Sequence, residues 1–231
     1  MIPILDSKRQ YAKIGKEIEK EVLEVLASGS YILGKHNKAF QTEFADFVGT
    51  KFSVGLNSGT DALHLALRAL DIKRGDEVIT TAFTFVATAS AIGLAGATPV
   101  FVDINPDTFN IDADKIEAAI TPKTKAIIPV HLYGQPPEME KIMDIAKRHN
   151  LKVVEDCCQA IGAEYKGQKV GTFGDFGCFS FYPTKNLGGM GDGGMITCND
   201  EKLYNRVIAL RNHGGAIRYY HDELGVNSRL D

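Results

Sequence analysis

The first fifty positions place hydrophobic residues at helical spacing. Apolar side chains recur every three or four residues along the first stretch, at Ile14, Ile18, Val22, Leu23, Val25 and Leu26. Side chains with this spacing share one face of a helix, and a glycine is a common helix end. The pattern predicts a helix that ends at Gly29. A second, short helix is predicted to end at Gly49, with an aromatic side formed by Phe40, Phe44 and Phe47.

From Lys51 onward the pattern changes to short apolar runs that alternate with longer helical stretches. The apolar runs predict strands at residues 52–56, 77–80, 99–102, 126–131, 152–155, 177–181 and 195–197. The stretches with helical spacing lie at residues 61–70, 85–95, 113–120 and 139–149. Strands that alternate with helices are typical of a mostly parallel sheet with helices on both faces. The sequence therefore predicts a three-layer αβα fold, of the α/β class, with a mixed but mostly parallel sheet in the middle.

The last two predicted strands lie close together in the sequence, at residues 177–181 and 195–197, and the segment between them has no helical pattern. Parallel strands need a crossover connection, usually a helix, whereas antiparallel strands do not. We therefore predict that these two strands form an antiparallel hairpin at one side of the sheet.

Composition and charge exclude several classes of protein. The chain has 231 residues, of which 44% are hydrophobic and 24% are charged, and its net charge is −3. This is an ordinary globular composition, and the scattered charges form no basic run of the kind that nucleic-acid-binding proteins carry. No apolar stretch reaches the roughly 20 residues of a membrane span, and the N-terminus lacks the apolar core of a signal peptide. We expect a cytoplasmic protein that binds neither nucleic acid nor a membrane.

The four cysteines and six histidines do not have the spacing of a metal site or of a disulfide framework. The cysteines form no C-x-x-C pair, and the histidines lack the spacing of zinc ligands. Cys157 and Cys158 are adjacent, which is poor geometry for holding one ion, and free cysteines usually behave as small hydrophobic residues. We therefore expect reduced thiols and no bound metal.

Polar and small residues follow four of the predicted strands. In open α/β sheets, ligands bind beyond the carboxyl ends of the strands. The segments at those ends are residues 57–60, 81–85, 156–159 and 182–186. Because these ends meet at one edge of a parallel sheet, we expect the four segments to converge on a single cleft.

Two glycine-containing segments are candidate phosphate sites, and one of them fits. The segment from Asn57 to Thr60 is small and polar and precedes a predicted helix, so its N–H groups fit an anion at the helix N-terminus. A simple helix cap at Ser58 or Thr60 fits equally well, and no Gly-Lys-Ser/Thr follows, so this is not a Walker loop. The G-x-G-x-x-G at residues 189–194 precedes a strand rather than a helix, and we interpret it as a tight loop.

Three side chains in the converging segments fit the chemistry of pyridoxal 5'-phosphate (PLP). Asp156 ends an apolar strand. A carboxylate there is either a solvated strand end or a fixed anion that holds a proton on a heterocyclic nitrogen, as in PLP enzymes. Lys185 follows aromatic and small residues, and a partly buried lysine has a lowered pKa and attacks carbonyl groups. Phe85 is either a core residue or a ring that stacks on a flat ligand.

Four motifs occur in order along the chain: Asn57-Ser58-Gly59-Thr60-Asp61-Ala62-Leu63, Thr84-Phe85-Val86-Ala87-Thr88, Glu155-Asp156-Cys157-Cys158-Gln159-Ala160 and Ser180-Phe181-Tyr182-Pro183-Thr184-Lys185-Asn186-Leu187-Gly188. With these motifs, the chain closely resembles the DegT/DnrJ/EryC1/StrS family of PLP-dependent sugar aminotransferases. That family has the fold type I architecture of aspartate aminotransferase. The resemblance extends from about residue 5 to the last residue, and several motifs in the right order make it specific.

The resemblance implies roles for the cofactor-facing residues. Lys185 matches the family's Schiff-base lysine, and Asp156 matches the acid that pairs with the pyridine nitrogen. The positions that match the phosphate cradle are Gly59, Thr60 and Ser180. Together they imply that the chain binds PLP, with Lys185 and Asp156 as its catalytic residues.

Three further positions match residues around the cofactor and at the subunit boundary. Phe85 matches the aromatic side chain that stacks on the cofactor ring, and Gln159 matches a residue near its phenolic oxygen. Asn227, within the motif at residues 225–231, matches an asparagine that reaches into the neighbouring subunit's site. The resemblance therefore implies a homodimer with shared active sites.

The resemblance also implies a domain organisation. Residues 1–50 are expected to form an N-terminal helical segment that packs on the large domain, and residues 51–231 are expected to form the PLP-binding large domain. The family continues into a second, smaller domain, so a chain that ends at Asp231 is expected to lack it.

The activity that the resemblance implies is transfer of an amino group from an amino acid, expected to be glutamate, to a nucleotide-linked keto-sugar. Such chemistry belongs to the biosynthesis of amino sugars for cell-surface polysaccharides or glycosylated metabolites. The Gly-Asp-Gly-Gly run at residues 191–194 resembles family members that aminate C3. Two alternatives remain open: a PLP-dependent sugar dehydratase, which carries histidine in place of Lys185, and a non-catalytic or regulatory PLP-binding fragment.

Overall fold

The structure, a computed structural model, describes residues 5–215, 217 and 219–231. Its helices are α1 (Ser7–Ser28), α2 (Lys35–Val48), α3 (Gly59–Ala69), α4 (Ala87–Leu94), α5 (Ala113–Ile116), α6 (Met139–His149) and α7 (Glu201–Arg211). Its strands are β1 (Phe52–Leu56), β2 (Glu77–Thr81), β3 (Thr98–Val102), β4 (Thr124–Ile127), β5 (Lys152–Asp156), β6 (Glu164–Tyr165), β7 (Gln168–Lys169), β8 (Phe176–Ser180) and β9 (Gly194–Cys198). None of the helices within these ranges combines the length and apolar character needed to cross a lipid bilayer.

The main sheet of the described residues has seven strands in the order β1-β9-β8-β5-β4-β2-β3. All of them are parallel except β9, which is antiparallel to both of its neighbours, β1 and β8. The predicted antiparallel hairpin is confirmed, since Gly177 lies opposite Thr197 and Ser180 lies opposite Gly194. The sequence did not predict that β1 pairs on the outer side of this hairpin, so that the reversed strand lies inside the sheet.

Helices cover both faces of the sheet, which confirms the predicted three layers. Consecutive residues of β5 show how the layers are divided, because side chains alternate between the faces of a strand. Val153 packs in a core with Met139 and Ile142 of α6. Val154 packs on the opposite face in the core that contains residues of α3, α4 and α7. Each face of the sheet is therefore buried, as expected for a mostly parallel sheet.

The N-terminal helices both end before a glycine, as the sequence predicts. Gly29 and Gly49 have φ angles of 66° and 93°, a left-handed conformation that glycine adopts without steric cost. The aromatic side of α2 packs against strand β8 and the residue that follows it, where Phe44 is buried against Phe179 and Phe181. Helix α1 is mostly exposed, since Gly15 is its one buried residue within the described chain.

Two parts of the fold differ from the sequence prediction for identifiable reasons. The strand predicted at residues 126–131 ends at Ile127, because Pro129 lacks the N–H that a strand ladder needs. The chain still runs beside β5, since Asp156 donates its N–H to the carbonyl of Pro129 at 2.9 Å. The helix predicted at residues 113–120 is α5 followed by a 3₁₀ turn at Glu117–Ala119. Helix α7 and the β6–β7 ribbon were not predicted.

Candidate active site

A cleft of about 360 Å³ lies at the carboxyl ends of the parallel strands. The predicted site residues that line it are Gly59, Thr60, Phe85, Asp156, Gln159, Ser180 and Lys185. They come from segments that follow β1, β2, β5 and β8, so the predicted convergence of these segments is confirmed. A larger surface hollow, of about 950 Å³, lies beside α1 and contains none of them.

The N-terminus of α3 forms one end of the cleft. The side chain of Ser58 caps the helix by accepting the N–H of Asp61 at 3.1 Å. The first N–H groups of a helix have no partner within the helix, and the helix dipole favours an anion there. The hydroxyl of Thr60 lines the same wall. A phosphate group fits this end of the cleft.

Glycine at position 59 brings this helix end close to β8. A Cβ atom at Gly59 would lie 2.6 Å from the Cβ of Ser180 and 2.8 Å from the Sγ of Cys158. Such distances are too short for real Cβ contacts, so a side chain at this position would push the helix away. The oxygen of Ser180 accepts the N–H of Tyr182 at 3.3 Å, which leaves its O–H free to donate. The predicted cradle residues are therefore grouped at one end of the cleft.

Asp156 lies at the end of β5 with only 6% of its surface exposed. Its Oδ2 atom accepts the hydroxyl of Thr88 at 2.7 Å. Its Oδ1 atom accepts the N–H of Cys158 at 3.2 Å. Donated hydrogen bonds stabilise the ionised form of a carboxyl group. The site therefore presents a buried, oriented carboxylate, which suits a protonated heterocyclic nitrogen and not only a solvated strand end.

Lys185 lies in the loop after β8, where its N–H donates to the carbonyl of Tyr182 at 2.8 Å. The side chain is half-buried and lines the cleft. Its ammonium makes no hydrogen bond or ion pair with any residue in the described part of the chain. A lysine without a carboxylate partner in a cleft is available for reaction with a carbonyl group.

Gln159 and Phe85 shape the remaining walls. The Oε1 atom of Gln159 accepts the N–H of Tyr133 at 3.1 Å, so its amide N–H₂ group is left to donate into the cleft. Such a donor suits an oxygen on the rim of a flat cofactor. Phe85 is 64% exposed, so it is not a core residue and its ring is available for stacking.

Asn227 does not belong to this cleft. Its side chain is exposed, and its backbone bridges to Asn212. The next residue, Ser228, is buried and hydrogen-bonds with the side chain of Asn57 at 3.1 Å. The segment is therefore fixed to the loop after β1, while Asn227 does not line the cleft of its own chain. The role of Asn227 in a neighbouring subunit's site stays a prediction.

Thr88 is a site residue that the sequence reasoning did not assign. It lies in the motif at residues 84–88, has no exposed surface and contacts Asp156 directly. The motif itself was a signal, but the contact joins α4 to β5 and becomes visible only in the folded chain.

A buried, hydrogen-bonded histidine–glutamate pair lies on the opposite side of β5 from the cleft. His131 Nε2 is 3.0 Å from Glu155 Oε2, and both side chains are fully buried. The carboxylate of Glu155 also accepts three backbone N–H groups, from Gly171, Phe173 and Gly174. Both of its oxygens therefore have partners already.

The thiol of Cys157 lies near the His131–Glu155 pair, and the three side chains together have the residue types of a metal site. Burial raises the pKa of this thiol well above its ordinary value, which opposes the thiolate that a metal needs. Since the carboxylate is also engaged, the cluster suits a structural cross-link between β5 and the 171–174 loop. The absence of a metal stays a prediction.

Comparisons with known proteins identify the family of the chain. The model of the DegT/DnrJ/EryC1/StrS aminotransferase family matches residues 12–231. Two relatives are each 54% identical over the whole chain and extend further, so that the chain spans 62% of their length: a "pleiotropic regulatory protein" of Geobacillus stearothermophilus and a "UDP-N-acetyl-3-dehydro-alpha-D-glucosamine 3-aminotransferase" of Acidithiobacillus ferrooxidans. Among solved structures, S. venezuelae DesV in complex with a ketimine intermediate is 46% identical with a TM-score of 0.97, over 99% of this chain and 62% of that one.

Proposed function

Because the chain belongs to the DegT/DnrJ/EryC1/StrS aminotransferase family, we propose that it is a PLP-dependent nucleotide-sugar aminotransferase. The proposal rests on one observation above all. Lys185, Asp156 and the N-terminus of α3 line a single cleft, so a reactive amine, a ring-nitrogen partner and a phosphate site face the same space. The amino donor is an amino acid, for which we propose glutamate, and the acceptor is a keto-sugar linked to a nucleotide.

Different residues of the cleft bind different parts of PLP. The N-terminus of α3, with the hydroxyls of Thr60 and Ser180, holds the phosphate of PLP by hydrogen bonds and the helix dipole. Phe85 covers one face of the ring, and the amide of Gln159 donates to the ring's oxygen. When bound, PLP supplies an electron sink for the carbon that loses a proton.

The two catalytic residues act on protons at different atoms. The carboxylate of Asp156 holds a proton on the ring nitrogen, because each charge stabilises the other. With PLP bound, the Nζ atom of Lys185 would hold the cofactor covalently. Once the amino donor has freed it, the same Nζ atom would take the proton from the donor's α-carbon as a general base and pass that proton to the cofactor as a general acid.

The position of amination is proposed to be C3 of the sugar. The carboxylate-bearing residue of the Gly-Asp-Gly-Gly run, Asp192, lines the cleft, so it lies where it can affect the reacting carbon. The Acidithiobacillus relative is named as a 3-aminotransferase. Small misplacements at a reacting centre are costly in rate, so a carboxylate that lines the same cleft as Lys185 suits a specificity role.

The assembly is proposed to be a homodimer with shared sites. Asn227 is exposed and lies outside the cleft of its own chain, while Ser228 fixes the segment that carries it.

A cytoplasmic location is proposed because all four cysteines, Cys157, Cys158, Cys178 and Cys198, are unpaired, as is usual in a reducing compartment.

The test is to trap the cofactor on its lysine. We expect PLP followed by borohydride to leave a stable adduct, which peptide mass spectrometry locates at Lys185. Lys185→Ala should lose the adduct, whereas Lys125→Ala, a change at an exposed lysine outside the cleft, should keep it. An adduct on a different lysine would contradict the assignment.

The reaction is tested with glutamate and matched 3-keto and 4-keto nucleotide sugars, and NMR locates the new amine. Amination at C3 is the expected result. Amination at C4 alone would contradict the C3 proposal and keep the aminotransferase proposal. An adduct at Lys185 without amination of any keto-sugar would favour a regulatory PLP-binding protein, which is the kind of name that the Geobacillus relative carries.

A further inference from the structure

Two threonine hydroxyls connect the wall of the cleft to the carboxylate of Asp156. Thr84 Oγ1 lies 2.8 Å from Thr88 Oγ1, and Thr88 Oγ1 lies 2.7 Å from Asp156 Oδ2. Thr84 lines the cleft, whereas Thr88 is fully buried and lines no part of it. We infer that Thr88 is a positioning residue that keeps the cofactor's ring proton on nitrogen by hydrogen-bonding to Asp156. The inference rests on the proposed function, because it concerns the same bound PLP.

The direction of these hydrogen bonds follows from the chemistry of the groups. An ionised carboxylate only accepts hydrogen bonds, so the Thr88 hydroxyl must donate to Asp156. Its oxygen is then left to accept, and the Thr84 hydroxyl donates to it. Chains of hydrogen bonds polarise one another, so the Thr84 bond strengthens the donor that faces Asp156. The lone pairs of Thr84 are left facing the cleft.

This arrangement controls where a shared proton rests. Asp156 and a pyridine nitrogen compete for one proton, and each hydrogen bond donated to the carboxylate lowers its affinity for that proton. Thr88 and the N–H of Cys158 occupy both carboxylate oxygens. Removing the Thr88 hydroxyl therefore leaves Oδ2 of Asp156 without this donor, and the shared proton moves toward the carboxylate and away from the ring.

Thr88 is placed to act through orientation as well. It is the second residue of α4, and its β-branched side chain is stiff about χ1. Its hydroxyl thus fixes one carboxylate oxygen relative to the helix, while the N–H of Cys158 fixes the other relative to β5. Two donors on two elements hold the plane of the carboxylate, which a single donor cannot do.

The experiment uses PLP labelled with ¹⁵N in the ring, bound to the wild-type chain and to Thr88→Val, Thr88→Ser and Thr81→Val. Valine has nearly the shape of threonine without the hydroxyl, and serine keeps the hydroxyl. Thr81→Val is the matched control, because Thr81 is also buried and hydrogen-bonded, to the N–H of Phe83, and does not contact Asp156. The ¹⁵N shift reports ring protonation directly, independently of turnover, and is followed as a function of pH.

At a pH at which the wild-type ring nitrogen is protonated, we expect the ¹⁵N shift of Thr88→Val to move toward the value of a neutral pyridine, which corresponds to about a tenfold change in the ratio of the two proton positions. Thr88→Ser and Thr81→Val should give the wild-type ¹⁵N shift. Thermal melting identifies a merely structural role, because a variant that only loosens the fold melts earlier without a change in the ¹⁵N shift. A wild-type ¹⁵N shift in Thr88→Val would overturn the inference alone. Failure of the wild type to bind PLP at Lys185 would overturn both the inference and the proposed function.

Discussion

Replacing Gly59 with alanine would place a methyl group between the first turn of α3 and strand β8. The new Cβ would lie 2.6 Å from Ser180 Cβ, 2.8 Å from Cys158 Sγ and 3.2 Å from Ser180 Cα. Two of these atoms belong to the strand itself or to the root of its side chain, so they cannot rotate away. The helix must therefore move by several tenths of an ångström for the methyl group to fit.

The energetic cost of Gly59→Ala follows from this overlap. Overpacking a well-packed site costs typically about 1–3 kcal/mol, while replacing a helical glycine gains about 0.5–1 kcal/mol from lower backbone entropy. A net loss of about 1–2 kcal/mol corresponds to a melting temperature lower by roughly 2–8 °C for a chain of this size. Because the same movement displaces the N–H groups that face the phosphate, we expect PLP affinity to fall by about tenfold.

Scanning calorimetry and a PLP titration test this prediction, with Gly93→Ala as the control. Gly93 lies inside α4 and has no heavy atom within 4 Å of an added Cβ, so its replacement should leave the melting temperature unchanged or raise it. Ser180→Gly removes the nearest clashing atom, so the double variant should regain part of the stability that Gly59→Ala loses. A wild-type melting temperature in Gly59→Ala, or strictly additive effects in the double variant, would refute the packing argument.

Three further changes test other parts of the structure. Asp156→Asn should leave the melting temperature within about 4 °C of the wild type. It should lower turnover by roughly two orders of magnitude, because a neutral amide cannot hold the ring proton. Near-normal turnover with bound cofactor would make Asp156 a structural residue. Glu155→Gln should lower the free energy of unfolding by about 3–5 kcal/mol, because one amide cannot accept three N–H groups and pair with His131. Urea denaturation measures this free energy, and Glu164→Gln, a change at an exposed site, is the control. Burial lowers the pKa of His64 below its ordinary value of 6.5. Below pH 6.5 the unfolded chain therefore binds a proton at this histidine more readily than the folded chain does. As a result, the free energy of unfolding falls as the pH falls. His64→Gln should flatten that dependence, and equal slopes of urea midpoint against pH for the two proteins would contradict it.

The periodic parts of the chain were predictable because each depends on local pattern alone. The strand predicted at residues 52–56 and the helix predicted at 139–149 match β1 and α6 to the residue. The prediction failed after Ile127, where the apolar run continues but the regular strand ends. The start of helix α7 has a recognisable sequence signal, an N-cap aspartate. Asp200 caps the helix by accepting the N–H groups of Lys202 and Leu203.

The candidate site was predictable to the level of segments, because parallel strands bring their carboxyl ends together. Contacts between segments were not predictable. Thr88 and Asp156 are 68 positions apart, and nothing in either motif specifies a hydrogen bond between them. The unshared lone pairs of Thr84 and the orientation of the Gln159 amide likewise follow from how β2, α4 and β5 pack. Such contacts require the tertiary structure.

The pairing of β1 with β9 has a consequence for synthesis of the chain. Phe52 lies opposite Cys198, and β9 is the one sheet neighbour of β1 among the described residues. Translation at about 5–20 residues per second separates the appearance of these strands by roughly 7–30 seconds. During that interval the apolar edge of β1 has no partner and is open to mispairing or to chaperones. A ribosome that stalls before β9 therefore releases a chain in which β1 has no strand beside it, which is a substrate for proteolysis and not a smaller version of the protein.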